Sequence, residues 1–458
     1  MALKSFRGGV RPAGGKELTR GKPIQFYLPK GDLVFPLSQH TGKPAIPVVK
    51  KGEAVLAGQI IARADGYHSA NIISSASGKV KAIEARMTTA GVVDQCIVIE
   101  NDGLVTLAEG VGTPCDYTEL SDREIIQKIM DAGVIGLGQG ITGTPTHVKL
   151  TPEHPEEIDY FIANGSECEP YITCDEQLMA EKPEWVVGGL KIALRLFPEA
   201  MGIIAIEEDK TEAIEAISRE VKGNGRIQVM PLKAKYPQGS ERNLVHAVTG
   251  RKMASDDTPE NLGCVINNVT TLAAVYHAVC MNEPLMEKGF TVTGDAVANP
   301  GNFMVKLGTN LSELLEAAGG LKAEPKKVII GGPMMGMAIT NLDRPVAKPY
   351  NALICLTEDP VEKADGQLTH CIRCGRCARA CPVGLVPQML AFYAERKDYD
   401  QYIKLHGLDC LGCGSCTYIC PAKRPLMQLF KMTKGVIEHN EAHEAAKAAQ
   451  KEKEVVEV

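Results

Sequence analysis

Two copies of one cysteine pattern constrain this 458-residue chain more than any other feature of its sequence. The first copy, at 371–382, reads Cys-Ile-Arg-Cys-Gly-Arg-Cys-Ala-Arg-Ala-Cys-Pro, and the second, at 410–421, reads Cys-Leu-Gly-Cys-Gly-Ser-Cys-Thr-Tyr-Ile-Cys-Pro. Both follow the spacing C-x2-C-x2-C-x3-C-P. In this spacing three thiolates surround one metal centre, and the fourth cysteine, just before a proline, reaches the other centre. The pattern therefore predicts one unit with two metal sites.

The spacing favours two [4Fe–4S] clusters with crossed ligands. A pair of structural zinc sites is the alternative, but zinc sites usually combine C-x2–4-C pairs and fit these runs poorly. Two neighbouring clusters predict one-electron transfer. The predicted ligands are Cys371, Cys374, Cys377 and Cys420 for the first cluster, and Cys410, Cys413, Cys416 and Cys381 for the second.

Composition and charge exclude several classes of protein. A chain of this length is too long for one core and should divide into three or four domains. Its 44% hydrophobic and 23% charged residues are typical of a globular protein. The net charge of −6 argues against a nucleic-acid-binding surface.

The other cysteines and the N-terminus bear on the cellular compartment. Seven scattered cysteines predict free, buried thiols in a reducing environment. The N-terminus lacks the apolar run of a signal peptide, and no uncharged apolar run approaches the roughly 18 residues of a transmembrane helix. We therefore expect a cytosolic protein, or a peripheral protein on the cytosolic side of a membrane. The seven cysteines are Cys96, Cys115, Cys168, Cys174, Cys264, Cys280 and Cys355.

The order of predicted elements indicates a multidomain α/β protein. Short β-branched runs separated by glycines predict a small β domain, and alternating helices and strands predict βαβ units with a mostly parallel sheet. A later ββαβ pattern, whose helix Asn310 can cap, predicts a β-grasp domain. The predicted boundaries are 1–30 for an extended arm, 31–116 for the β domain, 117–285 for a Rossmann-like domain, 286–340 for the β-grasp domain, 341–365 for a linker, 366–434 for the two-cluster domain and 435–458 for a charged helical tail.

The β domain resembles the barrel-sandwich hybrid of lipoyl and biotinyl carriers. The resemblance rests on the phrases G-x-x-V-x-x-G-Q at 52–59 and S-G-x-V at 77–80. No lysine lies in a Met-Lys-Met-like hairpin, so we expect a docking role and no covalent prosthetic group.

Glycines and polar side chains mark a second site in the Rossmann-like domain. Five glycines within 133–143 allow backbone N–H groups to approach an anion, although about half of such loops are only turns. Asn164, Glu167 and Glu169 follow a predicted strand, where a solvated loop is the default interpretation. Asn267 and Asn268 precede an apolar helix, and Asn268 can equally be an N-cap. Paired amides also suit a flavin ring and ribityl chain, since they both donate and accept hydrogen bonds.

Together these motifs resemble the C subunit of Rnf electron-transport complexes, and the central domain is similar to the FMN- and NADH-binding 51-kDa subunit of respiratory complex I. The resemblance covers nearly the whole chain. It also includes Phe6-Arg-Gly-Gly, Pro36-Leu-Ser-Gln-His, Tyr236-Pro-Gln-Gly and Gly331-Gly-Pro-Met-Met-Gly. The glycine loop departs from the family pattern, because it is two residues longer and has Thr144 where an aromatic residue is expected. Ser240 stands where complex I has an acid.

The family resemblance implies non-covalent FMN, two [4Fe–4S] clusters and NAD(H) as substrate. Matching residues fall into two sets, one for FMN and one for the nicotinamide pocket. The implied FMN contacts are Gly136, Gly138, Lys149, Asn164, Glu167, Asn267, Asn268 and Thr271. The implied nicotinamide contacts are Glu169, Tyr236, Gly239 and Glu241.

The predicted function is that of the NAD(H)-interacting peripheral subunit of a membrane-bound, ion-translocating ferredoxin:NAD+ oxidoreductase. Its implied partners are the membrane and iron–sulfur subunits of that complex, with ferredoxin acting indirectly. A flavin joins the two-electron nicotinamide to one-electron clusters. Two alternatives stay open at this point. One is a cobalamin reductase of propanediol-utilising microcompartments, and the other is an electron-wire subunit without a working flavin site.

Overall fold

The computed structural model describes residues 3–138 and 143–456, with the side chains of 442 and 445–456 left aside. Its helices and strands form four domains in the predicted order. Five short 3-10 segments connect them, at Lys16–Leu18, Tyr117–Glu119, Pro155–Glu157, Glu260–Leu262 and Gly407–Asp409. No helix among the described residues is both long and apolar enough to cross a membrane.

The N-terminal β domain consists of two small sheets around one core. Strands β2, β8, β7 and β4 form one sheet, and β3, β5 and β6 form the other, with antiparallel pairing in both. Phe35 of the first sheet and Ile61 of the second are fully buried in the same core. The strands up to this point are β1 (Ile24–Tyr27), β2 (Leu33–Pro36), β3 (Ile46–Pro47), β4 (Ala54–Val55), β5 (Ile60–Arg63), β6 (Ile72–Ile73), β7 (Gly78–Met87) and β8 (Val93–Asn101).

The Rossmann-like domain is built on a parallel four-stranded sheet in the order β11-β10-β9-β12. Alternate residues of β9 enter different layers: Phe161 joins the core of helices α4 and α7, while Ile162 packs with helix α6. This alternation explains why the strands are apolar throughout. The elements are α1 (Asp122–Asp131), α2 (Thr146–Leu150), β9 (Tyr160–Gly165), α3 (Cys174–Glu181), α4 (Pro183–Leu196), β10 (Met201–Glu207), α5 (Thr211–Glu220), β11 (Ile227–Leu232), α6 (Glu241–Thr249), β12 (Cys264–Asn268) and α7 (Val269–Cys280).

Local signals explain where the helices of this domain begin. The sequence Ser121-Asp-Arg-Glu124 predicts a capping box, and Ser121 and Glu124 form it at the start of α1. The sequence at about 175–196 predicts one long helix, but the structure divides this segment into α3 and α4 between Glu181 and Pro183. Proline disfavours the helical conformation of the residue before it, and Lys182 has the non-helical angles φ −132° and ψ 51°.

The β-grasp domain is larger than predicted, and the prediction of a linker at 341–365 is wrong. A buried strand from that segment, β17, lies in the sheet between β13 and β15, and β1 of the N-terminal arm pairs with β14. The sheet order is β1-β14-β13-β17-β15-β16. The elements are β13 (Glu287–Thr293), β14 (Gly301–Lys306), α8 (Leu311–Ala317), β15 (Lys327–Ile330), β16 (Met337–Ala338) and β17 (Ala352–Leu356).

The C-terminal domain is helical and carries both cysteine runs. Its last helix crosses the predicted boundary at 434, and Ile437 is still buried against the domain core. The beginning of the predicted tail therefore belongs to this domain. The helices are α9 (Pro360–Asp365), α10 (Arg376–Ala380), α11 (Pro387–Glu395), α12 (Tyr399–Lys404), α13 (Ser415–Tyr418) and α14 (Leu426–Val456).

One buried lysine connects three domains beside the glycine loop. The Lys348 Nζ donates hydrogen bonds to the carbonyl oxygens of Asn71 at 2.8 Å and Gly133 at 2.7 Å. Burial lowers the pKa of Lys348 to about 7. These bonds fix the start of the glycine loop against the N-terminal β domain.

Candidate functional site

A cavity of about 330 Å³ opens beside the carboxyl ends of β9 and β12. Parallel sheets bind ligands at this edge because the loops after the strands converge there. Most of the residues predicted for FMN and NAD(H) line the cavity. They are Gly136, Gly138, Lys149, Asn164, Glu167, Tyr236, Gly239, Glu241, Asn267 and Asn268. Residues 139–142 of the predicted glycine loop lie outside the described part of the chain.

Two predicted residues, Thr271 and Glu169, are not among the lining residues. The Thr271 hydroxyl accepts a hydrogen bond from the Leu137 N–H at 2.8 Å, which holds the glycine loop. The Glu169 carboxylate accepts hydrogen bonds from the N–H groups of Met334 and Met335, both at 3.0 Å. Both side chains therefore support the wall of the cavity instead of facing its interior.

The amides of Asn267 and Asn268 have different environments. Asn268 is the N-cap of α7, since its Oδ1 accepts from the Thr270 N–H, and its Nδ2 also donates to Asp175 at 2.7 Å. The Asn267 Nδ2 is buried without a hydrogen-bond partner among the described residues. A buried amide donor without a partner is costly, so a cavity ligand that accepts its hydrogen bond would be favoured.

Glu167 is a buried carboxylate at the first turn of α3. It accepts hydrogen bonds from the N–H groups of Asp175 at 2.8 Å and Glu176 at 3.1 Å. Burial raises its pKa to about 7, and nearby Lys16 opposes this shift. The Lys16 ammonium also donates to the Glu167 carbonyl oxygen at 2.7 Å. The N-terminal arm therefore stabilises the floor of the cavity.

Lys149 supplies the cation of the cavity. Its Nζ donates to the Glu241 carboxylate at 2.5 Å and to the Ile266 carbonyl oxygen at 3.3 Å. An ammonium has three donors, so one N–H remains for a ligand.

Several lining residues were missed by the site prediction. Asp175 accepts hydrogen bonds from Asn268 and from the Thr270 hydroxyl, both at 2.7 Å, and so orients the first residues of α7. Its position at the start of a helix after the acidic loop was the available signal. The lining residues absent from the predicted set are Gly143, Thr144, Cys168, Asp175, Pro237, Ser240, Ile266 and Met335.

The eight cysteines of the two runs line two further cavities, four in each. We name these sets the outer group (Cys371, Cys374, Cys377 and Cys420) and the inner group (Cys381, Cys410, Cys413 and Cys416). All eight lie in the described part of the chain, where no three of their Sγ atoms come within 4.8 Å of one another. Tetrahedral zinc with Zn–S bonds near 2.3 Å needs sulfurs only about 3.8 Å apart. The arrangement suits a larger centre than one zinc ion.

The inner group lies against the cavity beside β9 and β12. Tyr236 and Cys168 of that cavity pack in one hydrophobic cluster with Cys413 and Met334. The Gly9 N–H also donates to the Ala380 carbonyl oxygen at 2.8 Å, so the N-terminal arm joins the same contact. None of the outer-group cysteines belongs to this hydrophobic cluster, and Cys371 and Cys374 are exposed.

The seven remaining cysteines are free thiols. Cys96, Cys174, Cys264 and Cys355 are buried, as predicted. Cys115, Cys168 and Cys280 are half-buried. Cys168 lines the cavity, and Cys280 is the last residue of α7.

Known proteins match this chain along almost all of its length. The C subunit of the proton-translocating ferredoxin:NAD(+) oxidoreductase complex from Clostridium ljungdahlii is 42% identical over 97% of this chain and 96% of its own length. The chain belongs to the family of these C subunits. The corresponding protein of the Na(+)-translocating complex from Acetobacterium woodii is 39% identical over 94% of this chain and 96% of its own length. The C subunit of the ion-translocating oxidoreductase complex from Pseudomonas aeruginosa is 38% identical over 95% of this chain and 56% of its own length.

Four domain families match successive parts of this member of the C-subunit family. They are the RnfC barrel-sandwich hybrid domain at 4–104, the Nuo51 FMN-binding domain at 129–277, the SLBB domain at 290–338 and the 4Fe-4S dicluster domain at 370–423. The predicted fold class is confirmed. The relatives and domains also favour the predicted C-subunit function over the cobalamin reductase alternative.

The residues present fit the cofactors of these domains. Three lining side chains of the FMN-binding domain have a buried polar atom without a partner among the described residues: Asn267 through Nδ2, Tyr236 through its hydroxyl and Ser240 through Oγ. A polar ring and ribityl chain supply partners for such atoms. The two four-thiol cavities suit a pair of [4Fe–4S] clusters in the same way.

Proposed function

We propose that this chain is the NAD(H)-interacting peripheral subunit of a membrane-bound, ion-translocating ferredoxin:NAD+ oxidoreductase. In this role it carries electrons between NADH, FMN and two [4Fe–4S] clusters. The observation that supports this most directly is the packing of Tyr236, which lines the flavin-domain cavity, against Cys413 of the inner group. A hydride-accepting site and a one-electron site then share a wall within one chain.

In the proposed FMN site, the chain binds and orients the cofactor. FMN, when bound, exchanges a hydride with nicotinamide and single electrons with iron–sulfur clusters. The backbone of Gly136 and Gly138 and the third N–H of Lys149 would hold its anionic phosphate. Asn267 would donate to the ring or ribityl chain through its unpartnered amide. Glu167, Asn268 and Asp175 would position these groups through the hydrogen bonds of α3 and α7.

The proposed NAD(H) side of the cavity is bordered by Tyr236, Gly239 and Glu241. The Gly239 carbonyl oxygen accepts a hydrogen bond from the Asn164 Nδ2 at 2.9 Å, and a Cβ on Gly239 would lie 3.4 Å from the same amide. This hydrogen bond holds the 236–241 turn against the end of β9. Glu169 would act indirectly, because its carboxylate accepts a hydrogen bond from the Met335 N–H and so holds Met335 in the cavity wall.

The proposed ligands are crossed: the outer group holds one cluster and the inner group holds the other. In the assembled complex, the partners would be its membrane and iron–sulfur subunits, with ferredoxin acting indirectly, and the chain would lie on the cytoplasmic face of the membrane. The names of the relatives and the large share of each chain matched support membership of such a complex.

Removal of FMN and substitution of Asn267 test the flavin site. FMN-depleted protein with intact iron content should not be bleached by NADH, and added FMN should restore the bleaching. Asn267→Ala should weaken FMN binding by about 1–3 kcal/mol, or roughly 5- to 150-fold, measured by flavin fluorescence. Exposed Asn440→Ala on α14 is the control and should bind like the wild type. NADH bleaching that persists without flavin would contradict the proposal.

A further inference from the structure

The two-cluster domain carries a charge opposite to that of the whole chain. Residues 366–434 contain ten Lys and Arg residues but only four Asp and Glu residues, a formal charge of +6, whereas the complete chain carries −6. Such a local asymmetry indicates a charged binding partner more than a feature of the fold.

Part of this positive charge surrounds the outer group. Arg373, Arg376, Arg379 and Lys423 are exposed and form no ion pair within the described part of the chain. Arg424, in contrast, pairs with Glu395. We name the four unpaired residues the basic face. Exposed Cys371 and Cys374 lie within the same loops, so a molecule docked there would approach the outer cluster site.

Two residues of the basic face have an unusual backbone conformation. Arg373 has φ +55° and Lys423 has φ +54°, the left-handed region that costs a non-glycine residue about 1–2 kcal/mol. The equivalent positions around the inner group, one residue before the second cysteine and three after the last, are Gly412 at φ +64° and Gly384 at φ +77°. The loops beside the inner group therefore have glycine at both positions, and the loops beside the outer group have a cation at the same angle. The two cations beside the outer group therefore stand where glycine would have less backbone strain.

Exposed apolar residues lie beside the basic face, as at the contact surfaces of electron-transfer proteins. Ile372, at the centre of the outer loop, is 64% exposed, and Leu368 is 52% exposed. Apolar contacts surrounded by unpaired cations suit an acidic protein surface. An acidic membrane surface or nucleic acid would satisfy the charge but cannot accept an electron.

We propose that the basic face docks an acidic one-electron carrier protein over the outer cluster. One electron moves between that cluster and the redox centre of the carrier, so that one is oxidised as the other is reduced. This inference rests on the proposed function, because it needs a cluster in the outer group. It adds the place where electrons enter or leave the chain and the charge of the partner.

The Arg373→Gly/Lys423→Gly double variant tests the proposal without damaging the fold. Both changes remove a charge and place glycine at a left-handed position, so stability should rise or stay equal. The control is Lys397→Gly, which has the same charge change at φ +57°. Lys397 lies after the end of α11 and does not line the outer cavity.

The readout is binding of a purified acidic ferredoxin, used as a soluble probe of an acidic iron–sulfur partner surface, to dithionite-reduced holoprotein. Wild type and control should bind with an affinity that falls as salt rises, and the double variant should bind about tenfold more weakly at low salt. The proposal would be overturned if the double variant bound ferredoxin as well as the wild type does, or if the control lost as much binding as the double variant. Binding to anionic lipid vesicles in place of ferredoxin would also overturn it. Dithionite removes the need for NADH, so a failure of the flavin site does not affect this result.

Discussion

The two four-cysteine groups have the same spacing but opposite surroundings. The inner group packs with Tyr236 and Met334 against the flavin-domain cavity, and its Cys413 and Cys416 are each only 8% exposed. The outer group has two exposed cysteines and unpaired cations around it. Equal spacing brings four thiols together in both cases, whereas the residues between the cysteines determine what lies next to each centre. Under the proposed function, this difference would give the two centres separate positions on one electron path.

The largest expected effect comes from the last cysteine of each run. Cys420→Ser should remove the outer cluster and Cys381→Ser the inner one, because the fourth cysteine serves the other run. Each variant should keep about half of the wild-type iron, with one cluster signal left in the EPR spectrum. If Cys420→Ser instead removed the signal that Cys410→Ser removes, the crossed assignment would be wrong.

A smaller effect is expected from Glu169, which holds the Met334–Met335 loop on the inner side. Burial raises the pKa of Glu169 from 4.5 to about 7, so the folded state binds its proton more tightly than the unfolded state. The free energy of unfolding should therefore fall as pH rises from about 4.5 to about 7, by a contribution on the order of a few kcal/mol. Glu169→Gln should reduce this slope in urea unfolding measured across that pH range. Part of the slope should remain, because the pKa of Glu167 is raised in the same way.

The control for this prediction is the exposed Glu220→Gln at the end of α5. It should leave the pH dependence as in the wild type. An unchanged slope in Glu169→Gln would show that this carboxyl group does not titrate differently in the folded protein.

The smallest expected effect compares equivalent apolar residues of the two runs. Leu411 is partly buried in the cluster that contains Tyr236, whereas Ile372 is 64% exposed. Leu411→Ala should lower the free energy of unfolding by about 1–2 kcal/mol, and Ile372→Ala by less than about 0.5 kcal/mol. Urea unfolding of the two variants measures both values. Equal losses would mean that the inner group is no better packed than the outer one.

Much of the site was predictable because its signals are local. The C-x2-C-x2-C-x3-C-P spacing places the thiols within a few residues, and Asn267 and Asn268 end a strand at the edge where ligands bind. Lys182-Pro183 also contained the signal for the break between α3 and α4, although one long helix was expected.

The remaining features depend on contacts between distant residues. Glu169 accepts hydrogen bonds from Met334 and Met335, which lie 165 and 166 residues further along the chain. The local sequence around Glu169 therefore could not show that its side chain lies outside the cavity. Strand β17 has only five apolar residues, and the partners that make it a central strand are β13 and β15. A short apolar run does not show by itself whether it is paired.

The most direct test of the electron path is anaerobic stopped-flow reduction by NADH in the single-cluster variants. Cys420→Ser retains the inner cluster beside the flavin-domain cavity. NADH should therefore bleach this cluster at the rate of the first bleaching phase of the wild type. Cys381→Ser retains only the outer cluster, which should be bleached much more slowly, although dithionite should reduce it fully. Fast bleaching in Cys381→Ser together with slow bleaching in Cys420→Ser would contradict the path from flavin through the inner group.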